Sequence, residues 1–111
     1  MFSNLFGAMK KRSRVECADG FTMSVQAGPT HYCEPRDEHG PYRMVEVGYP
    51  SQYEELLIKY AEVADDPTKT VYGYVPSKTV SLVIAKHGGI MSGEVPPGVL
   101  DLRVTSDTDG Y

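Results

Sequence analysis

The sequence predicts a single α+β domain, with a mainly antiparallel sheet of about four strands covered on one face by two helices. Three observations support this fold class. Apolar and polar residues alternate with a period of two in several segments, as in strands with one buried face. Two other segments carry apolar residues at helical spacing, each preceded by a capping residue. The length of 111 residues suits one domain with a modest core.

The first two strands are predicted by alternation on either side of a long loop. In segment 21–27, the residues that share the apolar side are Phe21, Met23, Val25 and Ala27. In segment 42–49, the residues that share a side are Val45, Val47 and Tyr49. The connection between them is polar and punctuated by proline and glycine, which favours an antiparallel pair with a long, partly structured loop.

A first helix is predicted to begin at Ser51, directly after Pro50. Ser51 and Glu54 fit the S-x-x-E capping box, in which both side chains accept hydrogen bonds from exposed backbone N–H groups. The apolar face expected for this helix comprises Tyr53, Leu56, Leu57, Tyr60 and Ala61. The segment ADDPTK at 64–69 ends it, because it is rich in residues that break helices.

Two further strands are predicted later in the chain. Val71 to Val75 indicates a short strand, with Tyr72 and Tyr74 projecting to one side. Segment 99–104 alternates again and predicts a last strand, while Ile90 and Met91 are expected to pair only briefly with the sheet.

The second helix is expected to run from Lys78 to about Lys86. Ser77 is a suitable N-cap, and Gly88-Gly89 suits a left-handed C-terminal stop. Its apolar stripe is formed by Val80, Val83 and Ile84. This stripe and that of the first helix are predicted to pack on the apolar side of the strands.

The net charge of −4 is unevenly distributed along the chain. Four of the eleven cations are clustered near the N-terminus, at Lys10, Lys11, Arg12 and Arg14. From Val15 onward, seven cations face fifteen acids, which gives −8. We therefore predict a flexible basic arm over 1–16, a domain over 17–105 and a polar tail over 106–111. Such an arm fits a few phosphate contacts or an acidic partner.

Composition also bears on location. No apolar run approaches the roughly 20 residues that a membrane helix requires. The first residues place apolar side chains before the charges, the reverse of a secretory signal. Cys17 and Cys33 do not form a disulfide framework and are expected to be free thiols in a reducing compartment. The sequence thus predicts a cytoplasmic protein without membrane contacts.

Candidate metal ligands are present but poorly spaced. Zinc prefers four cysteine or histidine ligands, and the candidates are Cys17, His31, Cys33 and His39. The pairs C-x2-C and H-x3-5-H are both missing, so ordinary loop residues and buried thiols are the favoured interpretation, with neither metal nor cofactor expected.

Catalytic constellations are equally weak. Cys33 lies near His31 and His39, and Arg36 could help to lower its pKa, but no nucleophile motif surrounds it, so a small enzyme that uses this thiol is the least favoured hypothesis. The adjacent pairs Glu54-Glu55 and Asp65-Asp66 are expected to point apart and to be solvated. We therefore predict a protein that is not an enzyme.

Nucleic-acid binding has the stronger sequence support. Proteins that bind single strands combine basic grooves with aromatic side chains on which bases stack. The residues that could serve here are Lys10, Lys11, Arg12, Arg14, Tyr32, Arg36, Tyr42, Arg43, Tyr72 and Tyr74. The acidic body argues against a large electrostatic footprint, and the alternative is that the tyrosines are core or interface residues.

Five segments carry a family resemblance. DGFTMSVQA, HYCEPRDEHGPY and VEVGYPS within 19–51, followed by TVYGYVP and VIAKHGGI, resemble a small nonstructural protein of gokushoviruses, single-stranded DNA phages of the Microviridae. The resemblance spans about 19–90. It implies a DNA-binding protein of the host cytoplasm, with a role in single-stranded DNA synthesis or in the switch to packaging.

Two functional hypotheses follow. The first is a non-enzymatic phage protein that binds single-stranded DNA during genome synthesis or packaging. The alternative is a protein-interaction module, for example a homodimer, that engages the viral replication initiator, a capsid protein or a host factor. The loop His31 to Arg36 and the turn Gly40 to Tyr42 are the expected contact surface, unless their prolines and glycines only shape the connection.

Overall fold

The structure is a computed structural model that describes residues 11–105. One antiparallel sheet contains all five described strands, in the spatial order β4-β3-β2-β1-β5. The strands are β1 Val15–Cys17, β2 Thr22–Gln26, β3 Met44–Gly48, β4 Val71–Pro76 and β5 Ile90–Ser92. A 3-10 turn spans Ile58–Tyr60, and the single α-helix of the described residues, α1, spans Ser77–Lys86. The α+β class is confirmed, but the sheet has five strands where about four were predicted, and one helix where two were predicted.

The core lies on one side of the sheet. Alternate residues of the strands are buried, as the period of two predicted. The apolar stripe of α1, formed by Val80, Val83 and Ile84, is fully buried in the same cluster as the strand residues. The strand members of that cluster are Val15, Cys17, Met23, Val25, Val45, Val47, Tyr72, Val75 and Ile90.

The first predicted helix does not form. Ser51 instead extends the pairing of β2, because its N–H donates to the Thr22 carbonyl and its hydroxyl accepts from the Thr22 N–H, at 2.8 and 2.9 Å. Glu54 turns into the core rather than back towards Ser51. The capping box is therefore replaced by tertiary contacts, and Ile58–Tyr60 is the remaining helical turn of this region.

The predicted strand over 99–104 is also absent. A single parallel bridge joins Arg103 to Ile90. The Ile90 N–H donates to the Leu102 carbonyl at 2.7 Å, and the Val104 N–H donates to the Ile90 carbonyl at 2.9 Å. Leu100 and Leu102 are exposed, so the alternation in this segment does not mark a buried face.

The segment 11–16 lies along the sheet. Val15 and Glu16, which the sequence analysis assigned to the basic arm, belong to β1 and pair with β2 and β5. The main chain of Arg12 is hydrogen-bonded to the side chain of Gln26 in β2. Lys10, the rest of 1–10 and the predicted tail 106–111 lie outside the described residues.

Candidate nucleic-acid interface

A bulge in β4 separates the two tyrosines of that strand. Val45 pairs with Val75 and Val47 with Tyr72, so β4 carries one more residue than β3 over the same stretch. Tyr74 is the extra residue of the bulge, and its φ is +52°. As a result Tyr72 is fully buried while Tyr74 is 45% exposed. The prediction that both tyrosines project to one side is wrong, because alternation holds only for a regular strand.

Tyr32 is held beside Tyr74 by the hydrogen bonds of its own backbone. Its carbonyl accepts from the Tyr74 N–H at 3.0 Å, and its own N–H donates to a carboxylate oxygen of Glu46 at 2.8 Å. The close approach also depends on Gly73, since a Cβ there would lie 3.2 Å from the Tyr32 Cβ. The loop is thus fixed across the bulge.

Tyr32, Arg36 and Tyr74 form a surface cluster, which we term the tyrosine platform. The ring centres of the two tyrosines are 6.0 Å apart and the planes are tilted by 40°. The Arg36 guanidinium lies 5.4 Å from the centre of the Tyr32 ring and donates to the Tyr74 hydroxyl at 3.3 Å. Both tyrosines are 45% exposed, so part of their aromatic surface is accessible to a planar ligand.

The other two candidate tyrosines are core residues. Tyr42 and Tyr72 are 2% and 0% exposed. Their hydroxyls donate to the carbonyls of Asp37 and Pro67 at 2.7 and 2.6 Å. Burial raises the pKa of both phenols. The structure therefore places neither ring where a base could stack on it.

The candidate cations are dispersed rather than clustered. Arg43 is exposed and pairs with Glu34. Arg14 donates to the Thr22 hydroxyl at 3.0 Å and to the Tyr49 carbonyl. Arg12 is half-buried and Lys11 is exposed, while Lys10 lies outside the described residues.

Both cysteines are buried free thiols. Burial, with a smaller contribution from the nearby Asp19 carboxylate, raises the pKa of Cys17 to about 11. The Cys33 thiol lies 3.2 Å from the Gly28 carbonyl oxygen, to which it donates. Within residues 11–105, no group of three or more metal-ligating side chains is arranged to hold an ion.

A buried polar cluster around His87 was not anticipated. The His87 Nδ1 lies 2.7 Å from an Asp19 oxygen, and the Nε2 lies 2.6 Å from a Glu54 oxygen. The second Glu54 oxygen pairs with the Lys86 ammonium at 2.9 Å. The Phe21 ring stacks on the imidazole, with ring centres 4.1 Å apart and planes 13° from parallel.

The pKa values in this cluster follow from its geometry. Burial alone would lower the pKa of His87, but hydrogen bonds to Glu54 and Asp19, together with their charges, raise it overall. Burial alone would raise the pKa of Glu54, but the Leu56 N–H, His87 and Lys86 lower it overall. The Phe21 N–H and His87 lower the pKa of Asp19. The cluster is thus composed of charged groups that stabilise one another.

The sequence held only part of the information needed to find this cluster. His87 was placed at the end of the second helix, but Glu54 was expected to cap the first helix and to lie on its solvated face. Asp19 is 68 residues from His87, and no local spacing relates the two.

No protein-family model, no curated protein and no solved structure matches this chain. Over residues 11–105, no helix has the length and apolar character needed to cross a bilayer.

Proposed function

We propose that this chain is a non-enzymatic phage protein that binds single-stranded DNA in the host cytoplasm, during viral genome synthesis or packaging. The observation that supports the proposal best is the tyrosine platform, two half-exposed rings joined by an arginine. The resemblance to gokushovirus nonstructural proteins supports the same function independently of this geometry.

The platform has the chemistry that single-strand binding requires. Every base has a flat π face, so stacking on tyrosine tolerates any sequence. Arg36 lies against the Tyr32 ring and can also donate to a phosphate oxygen. In double-stranded DNA the bases are already stacked on one another, so we expect the platform to favour unpaired bases.

The charge distribution points to a small footprint. The body from Val15 onward is acidic, and its carboxylates repel a long phosphate backbone. The few cations near the platform and in segment 11–14 can neutralise only a few phosphates. We therefore expect binding of a short stretch of strand with a shallow salt dependence.

Fluorescence anisotropy with a labelled oligothymidylate tests this function. Replacing Tyr32 or Tyr74 by alanine removes one stacking surface, which is worth about 1–3 kcal/mol per base, so affinity should fall about 5- to 150-fold. Tyr53→Ala is the matched control, because Tyr53 is 56% exposed and lies outside the platform. A duplex of equal length should bind more weakly than the single strand.

Two results would count against the proposal. One is a wild-type protein that binds no oligothymidylate even at low salt. The other is platform variants that bind as tightly as Tyr53→Ala. Circular dichroism of each variant confirms that a loss of affinity does not arise from unfolding.

A homodimer is the second candidate, favoured by exposed apolar side chains at the β5 edge of the sheet. Met91, Leu102 and Val104 are 58%, 37% and 44% exposed. A second copy of the chain that packs there would remove this apolar surface from water. Light scattering should then give twice the chain mass for the wild type and the chain mass for Val104→Glu. A wild-type monomer at all concentrations rejects the dimer.

A further inference from the structure

A cleft of about 230 Å³ adjoins the loop that carries the tyrosine platform. His31, which directly precedes Tyr32, lines it, as do Lys11 and Arg12. Drug-sized ligands occupy pockets of about 300–1,000 Å³, so a cleft of this size suits one small polar group rather than a whole cofactor.

Arg12 is fixed at this cleft by a buried glutamine. Gln26 is 4% exposed, and its Oε1 accepts from the Arg12 N–H at 2.9 Å. The Gln26 Nε2 donates to the Arg12 carbonyl at 2.8 Å and to the Ser24 hydroxyl at 2.9 Å. One buried amide thus pairs with both backbone groups of Arg12, in the manner of a neighbouring strand.

The Arg12 guanidinium is oriented as well as anchored. It donates to the Ala27 carbonyl at 3.0 Å. It also interacts with the Tyr42 hydroxyl. A guanidinium has five N–H donors in a rigid fork that matches phosphate oxygens, so donors remain beyond these two contacts. The side chain is therefore preorganised to bind an anion in the cleft.

The charge of the cleft limits which anion it can take. Glu38 and Glu94 line it together with the cations. One Glu94 oxygen accepts from the Ser13 N–H and hydroxyl at 2.7 and 3.1 Å, so this carboxylate is directed at least partly towards Ser13. Such a mixed lining suits an anion of single charge, as in a phosphodiester, better than a doubly charged terminal phosphate.

We infer that this cleft binds one phosphodiester group of the DNA strand whose bases stack on the tyrosine platform, with Arg12 as the main donor. The inference rests on the proposed function, because the platform supplies the strand. His31 in the cleft and Tyr32 on the platform are consecutive, so a phosphate and a neighbouring base can be bound by adjacent residues.

The first experiment compares oligothymidylate affinity for Arg12→Gln and Lys78→Gln over a series of salt concentrations. Both variants lose one positive charge, but Lys78 is an exposed cation on α1 and does not line the cleft. Loss of a charge-assisted contact should lower the oligothymidylate affinity of Arg12→Gln about tenfold. It should also reduce the slope of log affinity against log salt concentration by about 0.7. Arg12→Lys should recover part of the affinity, since it restores the charge without the fork.

The second experiment titrates dimethyl phosphate, a phosphodiester without bases, into the wild-type protein and follows backbone amides by NMR. The amides of Gly28, Thr30 and His31 should shift, and those of α1 should not. Gln26→Leu, which releases Arg12, should reduce these shifts, and its melting temperature shows whether the fold is retained.

The outcomes separate this inference from the proposed function. If the wild type, Arg12→Gln and Lys78→Gln bind oligothymidylate equally well, the cleft is not a phosphodiester site, while the proposed binding at the tyrosine platform is unaffected. Dimethyl phosphate shifts without oligothymidylate binding reject the proposed function and, with it, the DNA strand as ligand. The absence of both responses overturns both.

Discussion

His87 and Glu54 are 33 residues apart in the sequence, yet their Nε2 and Oε1 atoms lie 2.6 Å apart in the core. A carboxylate can only accept, and Asp19 occupies the other ring nitrogen at 2.7 Å. Both nitrogens therefore carry protons, and His87 is an imidazolium. This cation connects the end of α1 to the segment before the 3-10 turn and to the turn after β1.

Replacing Glu54 by alanine should lower the free energy of unfolding by about 3 to 5 kcal/mol, because it leaves the buried His87 charge without its main partner. Glu55→Ala is the control: Glu55 is adjacent and exposed, and its replacement should change stability by less than about 0.5 kcal/mol. Urea unfolding followed by circular dichroism measures both. Equal losses of unfolding free energy in the two variants would show that the buried cluster does not stabilise the fold.

The same cluster predicts a pH dependence of stability. The pKa of folded His87 is raised above 6.5, so its contribution is complete below pH 6.5 and is lost as the pH rises through the folded value. The pKa values of Asp19 and Glu54 are lowered, so their contributions are lost as the pH falls through those lowered values. Melting temperature should therefore decrease on the alkaline side of pH 6.5.

His87→Gln isolates the histidine in this pH profile. Cys17 adds a further loss of stability only above its ordinary pKa of 9.0, so the interval from pH 6.5 to 9.0 reports mainly on His87. The variant should be less stable at pH 6.5 and its melting temperature should change less across this interval. A wild-type melting temperature that rises over the interval contradicts the imidazolium assignment.

The elements predicted correctly from the sequence are those in which one face is buried along the whole element. The alternation in β2 and β3 and the stripe of α1 match the structure, because in each case one face is buried throughout. The first predicted helix does not form, because Ser51 and Glu54, which fit a local cap, bond to Thr22 and His87 instead. Such long-range partners leave no trace in local spacing.

Only part of the candidate interface was predicted from the sequence. Tyr32, Arg36 and Tyr74 are brought together, while Tyr72 is not, because a bulge shifts the register of β4 by one residue. A bulge depends on the pairing with β3 and cannot be recognised from the alternation of β4 alone.

Leu57 and Tyr53 distinguish the observed fold from the predicted helix. Both were assigned to one apolar helical face, yet Leu57 is 0% and Tyr53 is 56% exposed. Leu57→Ala should cost about 2 to 5 kcal/mol through lost burial and a residual cavity. Tyr53→Ala should cost far less. Chemical unfolding measures both, and comparable losses would favour the helical arrangement.

The backbone of Tyr74 offers a test that separates stability from binding. Its φ of +52° lies in the left-handed region, which asparagine tolerates and a β-branched residue does not. Tyr74→Asn should therefore remain within about 0.5 kcal/mol of the wild type, while Tyr74→Val should lose about 1 to 2 kcal/mol. Both variants lack the ring, so both should bind oligothymidylate equally weakly. If affinity instead follows stability across the pair, the aromatic face of Tyr74 is not what binds the DNA.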